Sequence, residues 1–232
     1  MPMPSISQWL KQRRLPRVCA LCALYHTGAD AVCAACLARL SPIAFSCVQC
    51  ARPLPESQFR VCGVCIQNKP WFDTVIAPYA FDELLRILLH EFKYRQGLYL
   101  MSFLAELILS HLPPQALQTE CLLPVPMDSK RLSERGFNQS AELAKFLGKQ
   151  LRIPVSLSLC HKVVRTLPQA GLSALHRQKN LLNAFQIMPN HYQRVTIIDD
   201  LLTTGSTANE LARVLKQQGV LQVDVWCCAR VI

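Results

Sequence analysis

Eight of the chain's 12 cysteines fall in its first 65 residues, as four C-x-x-C pairs: Cys19/Cys22, Cys33/Cys36, Cys47/Cys50 and Cys62/Cys65. Thiolates at that spacing are metal chemistry. Two intervening residues let a tight knuckle aim both sulfurs at one ion, and two knuckles complete a tetrahedral set. The stretches between knuckles, residues 23–32 and 51–61, are similar in length. Consecutive knuckles therefore suit one Zn²⁺ each, giving two sites in series: Cys19/Cys22/Cys33/Cys36 and Cys47/Cys50/Cys62/Cys65. An interleaved arrangement, first knuckle with third, satisfies the same chemistry. Four thiolates leave no open position for substrate, so the metal is structural, and so short a module needs it to fold. Disulfides fit less well, since regular knuckles are poor disulfide scaffolds and no secretory signal precedes them. A redox dithiol needs one such pair, not four. Cys121, Cys160, Cys227 and Cys228 lie in apolar surroundings and read as core.

A second constellation is VTIIDDLLTTGSTANELARVL, residues 195–215. An apolar run ends in Asp199 and Asp200, and five small residues, Thr203, Thr204, Gly205, Ser206 and Thr207, follow two leucines later. Small residues let the backbone turn tightly with its N–H groups directed inward, and a following helix adds its positive end, so the loop is a phosphate cradle. The hydroxyls donate further hydrogen bonds, and Gly205 removes the Cβ that would hold the backbone away from a ligand. Carboxylates cannot bind phosphate, but they accept hydrogen bonds from sugar hydroxyls. A ribose 5-phosphate unit fits both halves. A Walker A loop would need Gly-Lys-Ser/Thr, and a dinucleotide fingerprint three spaced glycines; neither is present.

These residues need elements to position them. After QNKPWFD the cysteine pattern stops, which divides the chain into a cysteine-rich module, 1–70, and a second domain, 71–232. In the latter, FDELLRILLHEFKYR is a helix capped by Asp82, and LYLMSFLAELILSHL is a second helix ended by Pro113-Pro114. ECLLPVP reads as a buried strand, NQSAELAKFLGKQL as a helix, RVTIID as a strand, STANELARVLKQQG as a helix closed by Gly219, and LQVDVWCCARVI as a final strand. Strands alternating with helices imply an α/β fold with a parallel sheet and flanking helices. Ligands collect beyond the carboxyl ends of such strands, where Asp199 and Asp200 fall.

With 51% apolar residues and a mean hydropathy of +0.19 the chain has material for a packed core. No window approaches the 18 or so apolar residues of a membrane span; FLAELILSHL carries Glu106 and His111. The basic start with its short apolar patch does not read as a signal peptide, so a cytoplasmic location without membrane insertion is expected. The net charge of +10 is concentrated in two places. Residues 1–70 hold eight Lys or Arg against two acids, and residues 130–179 hold ten against Glu134 and Glu142. Such clusters suit an anionic partner: nucleic acid, a phosphorylated ligand or anionic lipid.

IIDDLLTTGST resembles the 5-phosphoribosyl 1-pyrophosphate (PRPP) motif of type I phosphoribosyltransferases, with Thr196 where a larger aliphatic residue is usual. Together with PVPMDSKRLSERGFNQS (124–140), RTLPQAGLSALHRQKNLLNAF (165–185) and the cysteine knuckles, it makes the chain similar to the competence protein F family, including GntX-type proteins. The resemblance spans nearly the whole chain. It implies a double zinc ribbon followed by a type I phosphoribosyltransferase-like domain, and a role in DNA uptake in natural transformation or in using DNA as a nutrient. It places ribose hydroxyls on Asp199 and Asp200 and the 5-phosphate on residues 203–207. It places pyrophosphate over the stretch around Met127 to Gly136, where Lys130, Arg131 and Arg135 are suitable cations. Mg²⁺ would accompany PRPP, bridging ligand oxygens with few direct protein ligands.

Three functions fit this set. An enzyme would transfer ribosyl phosphate from PRPP to an acceptor, stabilising the leaving pyrophosphate with cations, and Arg165, Arg177 and Lys179 would lie on a loop closing over it. No segment declares a purine or pyrimidine pocket. A DNA-handling protein would use its basic clusters and zinc ribbons on single-stranded DNA, with Trp71, Phe72, Phe92, Tyr94 and Tyr99 available for stacking, although aromatics at helical spacing are more often core. A docking module would present the zinc ribbons to a partner such as a DNA translocase. His90, His161 and His176 read as ordinary surface or core histidines.

Overall fold

The computed structural model describes residues 16–94, 97–163 and 184–232. A short antiparallel ribbon of β1 (Arg17–Val18) and β2 (Tyr25–His26) opens the cysteine-rich region, which also holds the one-turn helices α1 (Ala34–Leu37) and α2 (Gly63–Gln67). Then follow β3 (Thr74–Ile76), β4 (Tyr79–Ala80), α3 (Glu83–Tyr94), α4 (Met101–Leu109), β5 (Cys121–Pro124), α5 (Ser129–Arg135) and α6 (Gln139–Leu151). The chain ends with β6 (Cys160–Lys162), β7 (Phe185–Ile187), β8 (Arg194–Ile198), β9 (Leu201–Leu202), α7 (Ser206–Gln217), β10 (Gln222–Trp226) and β11 (Ala229–Arg230).

The fold is α/β. Four parallel strands run in the order β3-β10-β8-β5, and three of them resume after a break as the parallel set β4-β11-β9. Alternation along each strand sends side chains to opposite faces. Leu122, Ile198 and Trp226 join α3, α4 and α6 through Leu85, Leu88, Leu104, Ile108, Leu143 and Leu147. Leu123, Val195, Ile197, Val223 and Val225 join Leu211 and Leu215 of α7. Each fully buried leucine or isoleucine contributes about 1.5–3 kcal/mol of transfer free energy, so helices on both faces hold the sheet.

The expected helix starts carry their caps. The Leu85 N–H donates to Asp82 Oδ1 at 2.9 Å, and the Ser140 N–H donates to Asn138 Oδ1 at 3.0 Å. Two strand readings need correction. RVTIID does not pass directly into a loop but resumes as β9, and LQVDVWCCARVI is broken at Cys227–Cys228. The ladder stays bonded across both breaks: the Asp199 N–H reaches Trp226 O at 3.1 Å, and the Cys228 N–H reaches Asp200 O at 3.2 Å. The two aspartates therefore sit in an interruption of one strand line, where backbone pairing continues but regular alternation does not.

The cysteine-rich region is bonded to the sheet edge. Ile43 N–H donates to Pro78 O (2.8 Å), Ala80 N–H to Ser41 O (2.9 Å) and Val75 N–H to Val48 O (2.9 Å), so residues 41–48 cover the edge strands β3 and β4. Covering removes an exposed row of backbone groups that would otherwise template aggregation. Among the described residues no helix is long and apolar enough to cross a membrane.

Candidate functional site

The eight knuckle cysteines gather into two groups, Cys19/Cys22/Cys33/Cys36 and Cys47/Cys50/Cys62/Cys65, with the sulfurs of each group within 4.8 Å of one another. The pairing is serial. The two modules repeat one local design. In each, the residue after the first knuckle takes a left-handed conformation (Ala23 φ 58°, Ala51 φ 54°) and its N–H closes onto the carbonyl of the knuckle's first cysteine. The second knuckle of each opens a one-turn helix, with Cys33 or Cys62 at its N-cap.

Backbone N–H groups also point at sulfur: Leu21 and Cys33 donate to Cys19 Sγ at 3.4 and 3.3 Å, and Cys62 donates to Cys47 Sγ at 3.3 Å. Burial works against ionisation of Cys19, but these donors outweigh it and bring its thiol down to about 6. Cys62 is brought to about 7 in the same way, its largest donor being the backbone of Cys65. All-sulfur donor sets with N–H groups stabilising thiolate fit a structural Zn²⁺ at each site.

A cleft of about 310 Å³ opens at the carboxyl ends of β5 and β8. Lys93 enters from the last turn of α3, Arg131 and Arg135 from α5, Ser140 from the first turn of α6, Asp199 and Asp200 from the β8–β9 interruption, and Thr203 and Thr207 from the loop into α7. Asp128 and Lys162 complete the charged lining. Asn138 braces the rim: its Nδ2 donates to Val125 O at 3.0 Å.

The two carboxylates have different partners. Asp199 Oδ1 accepts from Ser140 Oγ at 2.9 Å and from the Asp200 N–H at 3.0 Å. Burial, and next the repulsion of Asp200, raise its carboxyl to about 7 against the opposing pull of Lys93. Asp200 Oδ2 lies 2.6 Å from Lys93 Nζ. Burial alone would lower the Lys93 pKa, but Asp200 and then Asp199 reverse that, so it stays an ammonium. Arg135 is held over the cleft by Tyr94, whose hydroxyl it reaches at 2.8 Å and whose ring lies 4.7 Å below its guanidinium.

The small-residue loop is shared between two recesses. Thr203 and Thr207 line the cleft, while Thr204, Gly205 and Ser206 line a second recess of about 230 Å³ with Arg52, Lys69 and Arg230. Gly205 sits at φ 82°, the left-handed region that a residue with a Cβ rarely adopts, and offers α7 no cap of its own, so the Ser206 N–H donates to Thr204 Oγ1 at 3.3 Å. Thr204 Oγ1 and Ser206 Oγ are 2.9 Å apart and brace the turn.

Of the three cations expected over the pyrophosphate, Arg131 and Arg135 line the cleft, and Lys130 is exposed on the first turn of α5. Arg165, Arg177, Lys179 and His176 lie outside the described residues. Of the aromatics, Phe72 and Phe92 are buried, and Trp71, Tyr94 and Tyr99 are exposed. Cys121, Cys160, Cys227 and Cys228 are buried, as their surroundings imply.

Lys93 and Ser140 escaped sequence reasoning as site residues. A signal for Lys93 exists: Leu85 and Leu89 are buried, and Lys93 continues their i, i+4 row, which puts a lysine on the inward face of an amphipathic helix.

Fold and site together define an α/β protein with two four-cysteine modules, consistent with a double zinc ribbon, and a parallel sheet carrying a paired-aspartate cleft at its carboxyl edge. No protein-family model matches the chain. Competence protein F of Haemophilus influenzae is 31% identical to it over 214 residues, covering 88% of this chain and 93% of that protein. DNA utilization protein YhgH of Escherichia coli (strain K12) is 32% identical over 228 residues, covering 94% and 99%. Competence protein ComFC of Bacillus subtilis is 26% identical over 202 residues, covering 82% and 80%. The chain belongs to the competence protein F family.

Proposed function

We propose that the protein acts in the uptake or use of DNA, and that its cleft holds a ribose 5-phosphate unit such as that of PRPP. The first part rests on relatives named for competence and DNA utilization over nearly their full lengths. The observation that carries the second is that the Asp199–Asp200 pair, Thr203 and Thr207 line one cleft with Arg131 and Arg135. Ribose hydroxyls donate to the carboxylates; the 5-phosphate meets the N–H groups at the start of α7; a pyrophosphate meets the guanidinium forks. Mg²⁺ would accompany PRPP and neutralise part of its charge, with few direct protein ligands. Single-stranded DNA, or a DNA translocase, is the macromolecular partner, and the basic surface of a chain with net charge +10 supports contact with a phosphate backbone.

The test is thermal. PRPP with Mg²⁺ should raise the melting temperature of the unmutated protein, and Asp199→Ala with Asp200→Ala should abolish the rise. No rise in the unmutated protein sinks the PRPP reading. A DNA-utilisation or transformation assay on the same double variant then asks whether the cleft matters to the cell.

A further inference from the structure

The second four-cysteine site and the phosphate loop meet around one side chain. Arg230 ends β11 and is 3% exposed. Its Nη1 donates to Leu202 O at 3.1 Å, and its Nε has no hydrogen-bond partner. Among the described residues no carboxylate pairs with it. A buried guanidinium without a counter-charge is strongly destabilising, so a stable fold must supply one. Cys50 and Cys65 line the same recess as Arg230. A zinc site of four thiolates is a net anion, because the ligands outweigh one divalent cation.

We propose that Arg230 is the counter-ion of the second zinc site and fastens that site to the phosphate loop. The fastening has three points. Arg230 holds the carbonyl of Leu202, the residue before Thr203. Phe72, in the segment that follows the last cysteine, places its ring 3.7 Å from where a Cβ on Gly205 would stand. The Trp71 N–H donates to Asn209 Oδ1 at 2.7 Å, in the first turn of α7. The first zinc site has no such role: Cys19 and Cys36 pack with the helices α3, α4 and α6, and none of its cysteines lines either recess. Zinc loss at the second site therefore loosens residues 202–209, and zinc loss at the first does not. The consequence for ligand binding rests on the reading of the loop given above; the coupling itself does not.

The test uses the full chain without ligand, following zinc release to a chromophoric chelator and amide hydrogen exchange of residues 202–209. In Arg230→Gln one of the two zincs should bind about ten- to a hundredfold more weakly while the other is unchanged, the size of effect that removing an outer partner of a metal site produces. Arg230→Lys, which restores the charge, should recover most of the loss. Cys62→Ser should retain one zinc and speed exchange over 202–209 about tenfold or more; Cys22→Ser should retain one zinc and leave that exchange unchanged. Equal loop effects from the two cysteine variants, or unchanged zinc release in Arg230→Gln, overturns the proposal. If Arg230→Gln does not fold, staged chelation of the unmutated protein gives the same answer, with thiol alkylation reporting which site has emptied. Absence of PRPP binding alongside the expected zinc and exchange results overturns only the ligand reading.

Discussion

Replacing Asp199 with Asn should stabilise the folded chain while abolishing the proposed binding of a ribose, and pH distinguishes the cause. Asp199 lines the cleft, its carboxyl raised from 3.8 to about 7 by burial first and Asp200 second. At about 1.4 kcal/mol per pH unit, the rise puts a penalty of about 4 kcal/mol on the ionised form. The side chain is half-buried on an open cleft, where water screens the charge, so about 2 kcal/mol is the working figure. Below about pH 4 the folded and unfolded chains both hold the proton. Between about pH 4 and pH 7 the unfolded chain releases it and the folded chain keeps it, so stability falls as pH rises. Above about pH 7 the penalty is constant.

Asn has the same shape, its oxygen still accepts from Ser140 and from the Asp200 N–H, and it never ionises. Melting curves of the two proteins should therefore diverge from pH 5 to pH 7, with Asp199→Asn higher by about 4–8 °C at the upper end. Zinc loss at acid pH affects both proteins and cancels in the difference. A gap that stays constant across that range, or an unmutated protein that melts higher at pH 8, would refute the account of a strained carboxylate pair. The same variant should show no PRPP-induced shift.

Three other outcomes follow. Lys93→Met leaves the buried Asp200 without its cation and should cost about 3–5 kcal/mol in chemical denaturation, most of it recovered when Asp200→Asn is added; a single variant as stable as the unmutated protein would contradict the pair. Metal analysis of freshly purified protein should find about two zinc per chain, and about one after Cys47→Ser, whereas one zinc in the unmutated protein would overturn the two-site assignment. Labelled single-stranded DNA should bind at low salt with affinity falling steeply and linearly on a log–log plot, and undetectable binding at low salt counts against direct contact.

Much of the site was legible wherever chemistry is carried by neighbours in the chain. The cysteine spacing predicted both four-sulfur groups, and their serial pairing follows because each knuckle closes on the next before the chain departs along the sheet edge. The leucine periodicity predicted α3, and the acids before the Thr/Gly/Ser run predicted the cleft. The resumption of β8 as β9 was not legible. Whether Leu201–Leu202 pairs as a strand depends on β11 lying beside it, and β11 is reached only after another helix. Nor was the division of the loop legible. Thr203 and Thr207 share one side while Thr204 and Ser206 share the other, and only the neighbour packed on each side gives that division meaning.

By itself, then, the sequence determined the groups available for chemistry: two sets of four cysteines, a carboxylate pair and a turn of small residues before a helix. Their geometry is local, set by a few adjacent dihedrals that residue type controls. Tertiary structure alone decided what stands against them: Lys93 on Asp200, Ser140 on Asp199, and Arg230 between the second cysteine site and the loop. Those partners are brought in by the packing of helices on both faces of the sheet. Such packing is the sum of many weak, non-directional contacts between distant segments, which no short stretch of sequence encodes.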